Sequence, residues 1–124
     1  MNPNDLIKNA IIAQSHSQSK YSKFPVGCAL LSNNNTVILG CNIESAVYPS
    51  TMCAERVAIY SALSKGVTKF KAIAIVSNIA AKPCGSCRQI IQEYVGNIPI
   101  YISNGKDEIY ETHYISDLLP HPFT

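Results

Sequence analysis

Three cysteines divided between two short motifs, Cys53-Ala54-Glu55 and Pro83-Cys84-Gly85-Ser86-Cys87, constrain this chain more than anything else in it. To act together they require segments far apart in sequence to fold back onto one point. Three soft ligands are one short of the closed tetrahedron of structural zinc, which leaves a fourth position for water. The carboxylic acid of Glu55, just after the first ligand, is then placed to move that water's protons. The set reads as a catalytic zinc site. Other readings stand beside it. Cys-x-x-Cys at a helix start is also the pattern of a redox pair. Cys28 or Cys41 as a fourth thiolate would close the site into a structural one, although Cys28 alternates within an apparent strand and reads better as a small core residue. Glu55 and Arg56, as neighbouring charges on a helix, could simply be a solvated pair.

The local pattern shows how the motifs are carried. Asn4 is a candidate cap for a first helix in which Leu6, Ile7, Ala10 and Ile11 recur at helical spacing. Phe24 to Leu31 reads as a strand, Ser32 to Asn35 as a turn and Thr36 to Leu39 as a returning strand, together a hairpin. Ser50 or Thr51 is expected to cap the next helix, which carries Cys53 in its first turn and stops at Lys65-Gly66. Lys71 to Ser77 has the Ala/Ile/Val content of a buried strand, and Pro83 precedes a helix from Ser86 to about Tyr94, closed by Gly96. Ile98 to Ile102 and Glu108 to Thr112 read as two more strands around Asn104-Gly105, and Ile115 to Leu119 as a closing helical turn. The alternation is that of an α/β unit. Tyr21, Tyr60, Tyr94 and Tyr101 are expected to pack with a wet hydroxyl. Cysteines at two helix starts meet unpaired backbone N–H groups and the positive end of a dipole, which favour the thiolate that a metal binds. Three thiolates and one Zn²⁺ sum to a net negative charge, and Arg56, three residues after Cys53, is suited to offset it by donating to a ligand sulfur.

Size and charge limit the remaining options. A chain of 124 residues, 47% hydrophobic, supports one core, so residues 1–124 are expected to form a single domain. A net charge of +2, with Lys and Arg scattered, offers no basic stripe for a nucleic-acid polymer. No apolar run approaches the ~20 residues of a membrane span. The amphipathic start, with Asp5, is unlike a secretory leader, and five cysteines are more in keeping with free thiols than with pairs. A cytoplasmic protein is expected.

Phe24-Pro25-Val26-Gly27, Gly40-Cys41-Asn42-Ile43-Glu44, Cys53-Ala54-Glu55-Arg56, Pro83-Cys84-Gly85-Ser86-Cys87-Arg88-Gln89 and Leu118-Leu119-Pro120 with Phe123 together resemble the small homotetrameric cytidine deaminases, in order and along nearly the whole chain. The chain departs from that pattern at Ser45 and Val47, where a more polar pair is usual, and at Cys28. The resemblance implies a three-layer α-β-α fold around a mixed five-stranded sheet and one zinc per subunit on Cys53, Cys84 and Cys87. It implies Glu55 as the proton carrier in hydrolytic deamination of cytidine and 2'-deoxycytidine for pyrimidine salvage. It also implies that the backbone around Ala54 and Cys84 meets the pyrimidine edge, that Phe24 flanks the base, and that Asn42 and Glu44 hold the ribose. Tyr48 and Phe123 would reach a neighbour's active site in a homotetramer. A blasticidin-type deaminase acting on another cytosine-containing nucleoside is the alternative within enzymes, and a structural zinc module the alternative outside them. Editing of polynucleotides is disfavoured by the lack of an aromatic and basic strand platform.

Overall fold

The computed structural model describes residues 1–124. Helix α1 (Pro3–Gln14) is capped by Asn2, whose side chain accepts a hydrogen bond from the Asp5 N–H at 2.9 Å. The expected cap, Asn4, instead lies inside the first turn, because Pro3 is a natural first helical residue and moves the start upstream. Leu6, Ile7, Ala10 and Ala13 form the buried stripe. Ile11, expected within that stripe, faces outward.

Strands β1 (Val26–Ser32) and β2 (Val37–Cys41) form the expected antiparallel hairpin. After a 3-10 turn at Tyr48–Ser50 comes helix α2 (Ala54–Ser64), then strand β3 (Phe70–Ser77). Helix α3 (Gly85–Ile90) continues into a π-helical turn, Ile91–Val95, and ends at Gly96, whose φ of 92° suits a residue without a Cβ. Strands β4 (Ile100–Ser103) and β5 (Glu111–His113) and the short helix α4 (Ile115–Leu118) complete the chain. The last strand begins later than its composition indicates. Asp107 and Glu108 take left-handed φ values of 61° and 55°, which bend the chain out of extended geometry.

The sheet order is β2-β1-β3-β4-β5. Strand β1 is antiparallel to both its neighbours, so β2 and β3 run parallel to one another, and β3 pairs in parallel with β4. Alternation along the strands sorts the core into two layers. Cys28, Leu30, Ile73, Ile75, Ile100 and Ile102 pack under α2 and the α3 segment, whereas Ala29, Leu31, Ala72, Ala74 and Val76 meet α1. The result is the three-layer α-β-α arrangement with a mixed five-stranded sheet. Of the tyrosines expected to pack, Tyr101 does so, edge-on to Tyr110 at 5.4 Å between ring centroids. Tyr21, Tyr60 and Tyr94 are exposed.

Two glycines set the distance between layers. A Cβ on Gly27 would lie 2.0 Å from the Ala10 carbonyl oxygen, and one on Gly40 would lie 2.4 Å from that of Ala54 and 2.5 Å from the Ala58 nitrogen. The start of α2 therefore rests directly on β2. Because β2 and β3 are parallel, their carboxyl ends open on the same side of the sheet, and the loops that follow deliver the starts of α2 and α3 to one crevice.

Candidate active site

Cys53 and Cys84 are the N-cap residues of α2 and α3, and Cys87 lies in the first turn of α3. Cys53 was expected inside the helix with Ser50 or Thr51 as its cap. Instead the Thr51 hydroxyl accepts a hydrogen bond from the Ser45 N–H at 3.0 Å, and the Ser45 hydroxyl accepts one from the Val47 N–H at 3.0 Å. The loop thus uses its hydroxyls on itself and leaves the helix start to the cysteine.

The three sulfurs lie within 4.8 Å of one another, with Cys53 Sγ 3.7 Å from Cys84 Sγ. Sulfurs bonded at ~2.3 Å to one tetrahedral zinc stand roughly 3.8 Å apart, so this donor set fits the ion. Cys28 is fully buried among the core side chains of β1, and neither it nor Cys41 joins the cluster. This disfavours the closed four-thiolate site. Hydrogen bonding by Cys87 first, then by Arg56 and Cys84, draws the Cys53 thiol down to about 5 against the opposing effect of burial. Cys87 is held well above the ordinary thiol range by its bond to Cys53, by burial and by the charge of Glu55. Arg56 Nη2 donates to Cys53 Sγ at 3.4 Å, while its buried Nε has no partner. The guanidinium is thus committed to the thiolate cluster rather than to a solvated pair with Glu55.

Glu55 is 5% exposed. Burial raises its carboxyl from 4.5 to about 7, with the Cys53 charge adding to the rise and the Glu55 N–H and Arg56 opposing it. It faces a cavity of about 180 Å³ shared with Phe24, Val26, Asn42, Cys53, Ala54, Ile75 and Cys84. The lining is mostly apolar, with the thiols of Cys53 and Cys84, the Glu55 carboxyl, the Asn42 amide and Lys82 as its polar groups. Such a space takes a flat ring whose polar edge meets fixed groups.

Asn42 is buried and largely occupied by its own chain. Its Nδ2 donates to the Phe24 carbonyl at 2.8 Å, and its Oδ1 accepts from the Val26 N–H at 3.0 Å and from the Ser17 hydroxyl. One amide hydrogen remains for a ligand. Glu44 does not line the cavity. Its Oε1 accepts from the Tyr21 and Ser22 N–H groups at 3.0 and 2.9 Å, and its Oε2 from the Ser22 hydroxyl. Those bonds, the Ser22 hydroxyl foremost, hold it below the usual carboxylate range. Tyr48 and Phe123 also stand outside the cavity, 79% and 85% exposed.

Sequence reasoning missed Ser17, Ser22 and Lys82. The two serines fasten Asn42 and Glu44 from a polar stretch with no periodic signal. Lys82 lines the cavity and pairs with Glu111 at 3.7 Å. Its place directly before Pro83-Cys84 was the one available clue.

Residues 2–101 match the family described as the cytidine and deoxycytidylate deaminase zinc-binding region. A cytidine deaminase of Sporosarcina psychrophila is 44% identical over 127 aligned positions, which cover 100% of this chain and 93% of the relative. A crystal structure of cytidine deaminase from Burkholderia pseudomallei superposes with a TM-score of 0.91 at 36% identity, covering 99% of this chain and 100% of that one. A blasticidin-S deaminase of Bacillus cereus is 32% identical over 114 positions, covering 83% of this chain and 79% of the relative.

Proposed function

The chain belongs to the cytidine and deoxycytidylate deaminase zinc-binding family, and from that premise we propose that it converts cytidine and 2'-deoxycytidine to the corresponding uridines and ammonia, for pyrimidine salvage. The observation that carries the reading is Glu55, a carboxyl only 5% exposed that lines the same ring-sized cavity as the thiols of Cys53 and Cys84.

Cys53, Cys84 and Cys87 would hold the metal, and zinc when bound supplies Lewis acidity that acidifies a water molecule. A carboxyl titrating near neutrality both takes and gives a proton at working pH, which is what this hydrolysis needs. Water's oxygen bonds to C4 of the cytosine ring and the C4–N4 bond breaks. Glu55 carries one water proton to N3 and the other to the departing nitrogen, which leaves as ammonia, so that the product has N3–H and a C4 carbonyl. The acidic side of this cycle is kept in place by burial, and Arg56 keeps the thiolate cluster from accumulating negative charge beside it.

The remaining roles follow the same chemistry. The Ala54 N–H, in the first turn of α2 where backbone donors lack helical partners, is available to the pyrimidine edge. The Phe24 ring flanks the base, and the spare amide hydrogen of Asn42 meets a ribose hydroxyl. Glu44, although engaged by Tyr21 and Ser22, retains one unused acceptor site, on Oε2, for the same sugar. Tyr48 and Phe123 are large side chains left bare by their own subunit, as expected if each completes a neighbour's site in a homotetramer with one zinc per subunit. No helix is long and apolar enough to cross a membrane, and all five thiols are free, which supports a place in the reducing cytoplasm.

The test is loss of cytidine absorbance with purified protein, run beside blasticidin S, cytosine and cytidine monophosphate, with zinc per chain measured on the same sample. Cytidine turned over and blasticidin S spared is the expected result. Turnover of blasticidin S alone would keep the chemistry and overturn the substrate. A zinc-loaded protein that turns over none of the four would restore the structural-zinc reading.

A further inference from the structure

Two adjacent side chains of α3 that the chemistry above does not use tie the C-terminal segment to the metal-ligand helix. Gln89 meets the backbone of Phe123 with both ends of its amide. Nε2 donates to the Phe123 carbonyl at 2.8 Å, and Oε1 accepts from the Phe123 N–H at 3.1 Å. Beside it, Arg88 donates through Nε to the Pro83 carbonyl at 2.7 Å and through Nη1 to the Leu118 carbonyl at 2.8 Å, joining the turn before Cys84 to the end of α4. The segment between these anchors contains Pro120 and Pro122, whose rings restrict its backbone further.

Phe123 is pinned at both of its backbone polar groups while its ring, 85% exposed, is the barest of the large apolar side chains. Fastening the backbone of such a ring adds little to this subunit's core. What it does is fix the position of the Phe123 backbone, and so the point from which the ring projects, relative to the helix that carries Cys84 and Cys87.

We propose that Gln89 is a positioning residue for substrate binding: it orders the backbone of Phe123 in advance, from which the ring projects to the active site of a neighbouring copy of this chain. The inference rests on the reading of Phe123 given above. A tail ordered in advance spares each binding event the entropy of ordering it, so the effect belongs in KM rather than in kcat. Releasing the backbone of one residue corresponds to a KM increase of roughly tenfold.

The experiment compares Gln89→Ala and the better space-filling Gln89→Leu with Phe123→Ala and with the Gln89→Ala/Phe123→Ala double variant. It measures cytidine kinetics, zinc per chain and hydrogen exchange of the Phe123 amide. Both Gln89 variants are expected to raise KM about tenfold with kcat within about twofold, to keep their zinc and to lose protection of the Phe123 N–H. In the double variant the Gln89 change should add nothing to Phe123→Ala, because the clamp then has no ring to place. An additive double variant, or a wild-type KM in Gln89 variants whose tail amide has lost protection, overturns the inference. If Phe123→Ala leaves KM unchanged in an active deaminase, the reading of Phe123 falls and the clamp's role with it. If the wild-type protein turns over no cytidine, it is the deaminase reading that fails first.

Discussion

Replacing Glu55 by Gln is expected to abolish most turnover and, in the same protein freed of metal, to make the fold more stable at alkaline pH. The side chain is 5% exposed, and burial is the main reason its carboxyl lies near 7 instead of 4.5. At 1.36 kcal/mol per pH unit that displacement is worth about 3 kcal/mol. Because the folded-state value is raised, the folded chain holds this proton more tightly than the unfolded chain does. The stabilising contribution is complete below about 4.5 and is lost as pH rises through about 7. Gln has the same shape and no charge, so the variant escapes the loss. Urea unfolding of both metal-stripped, reduced proteins between pH 4.5 and 8.5 should show the variant's advantage growing by about 3 kcal/mol across that range. Cys53 also titrates near 5, but it is present in both proteins and largely cancels in the difference. Parallel stability profiles would refute the account of a desolvated carboxyl. In the zinc-loaded enzyme, loss of the proton carrier should cost at least ~10²–10⁴ in kcat, and near-normal activity would remove Glu55 from the mechanism.

Other outcomes follow from the same geometry. Cys84→Ala should lose its zinc and its cytidine turnover, whereas Cys28→Ala should keep both and lose only about 1 kcal/mol to a small cavity, as metal analysis and urea midpoints will show. Arg56→Ala removes the donor 3.4 Å from Cys53 Sγ. Zinc affinity, measured by competition with a chelator, should fall about 10–100-fold, and an unchanged affinity would leave the guanidinium without its role. Gly40→Ala would set a Cβ 2.4 Å from the Ala54 carbonyl, a backbone atom that no rotamer change can move aside. A loss of about 1–3 kcal/mol in urea unfolding is expected, with reduced turnover, because the displaced helix start carries Cys53 and Glu55.

Much of the site was legible before any fold was known. Metal ligands are chemically distinctive and obey short spacings, so Cys84 and Cys87 one helical turn apart, and Cys53 with Glu55 just beyond it, announce themselves without tertiary information. Helical periodicity and turn residues likewise placed most elements, since both depend on interactions within a few residues. The boundaries moved where two local signals competed, as when Pro3 took the helix start that Asn4 was expected to cap. What only the tertiary structure decided are the bonds that join distant segments through ordinary polar residues. Ser17 holds Asn42, Ser22 holds Glu44, and Gln89 holds Phe123, and none of these serines or amides differs by type or spacing from a solvated one. The convergence of the two cysteine motifs is also a tertiary fact. It follows from β2 and β3 running parallel on either side of β1, and that arrangement is set by which apolar faces find each other across the sheet.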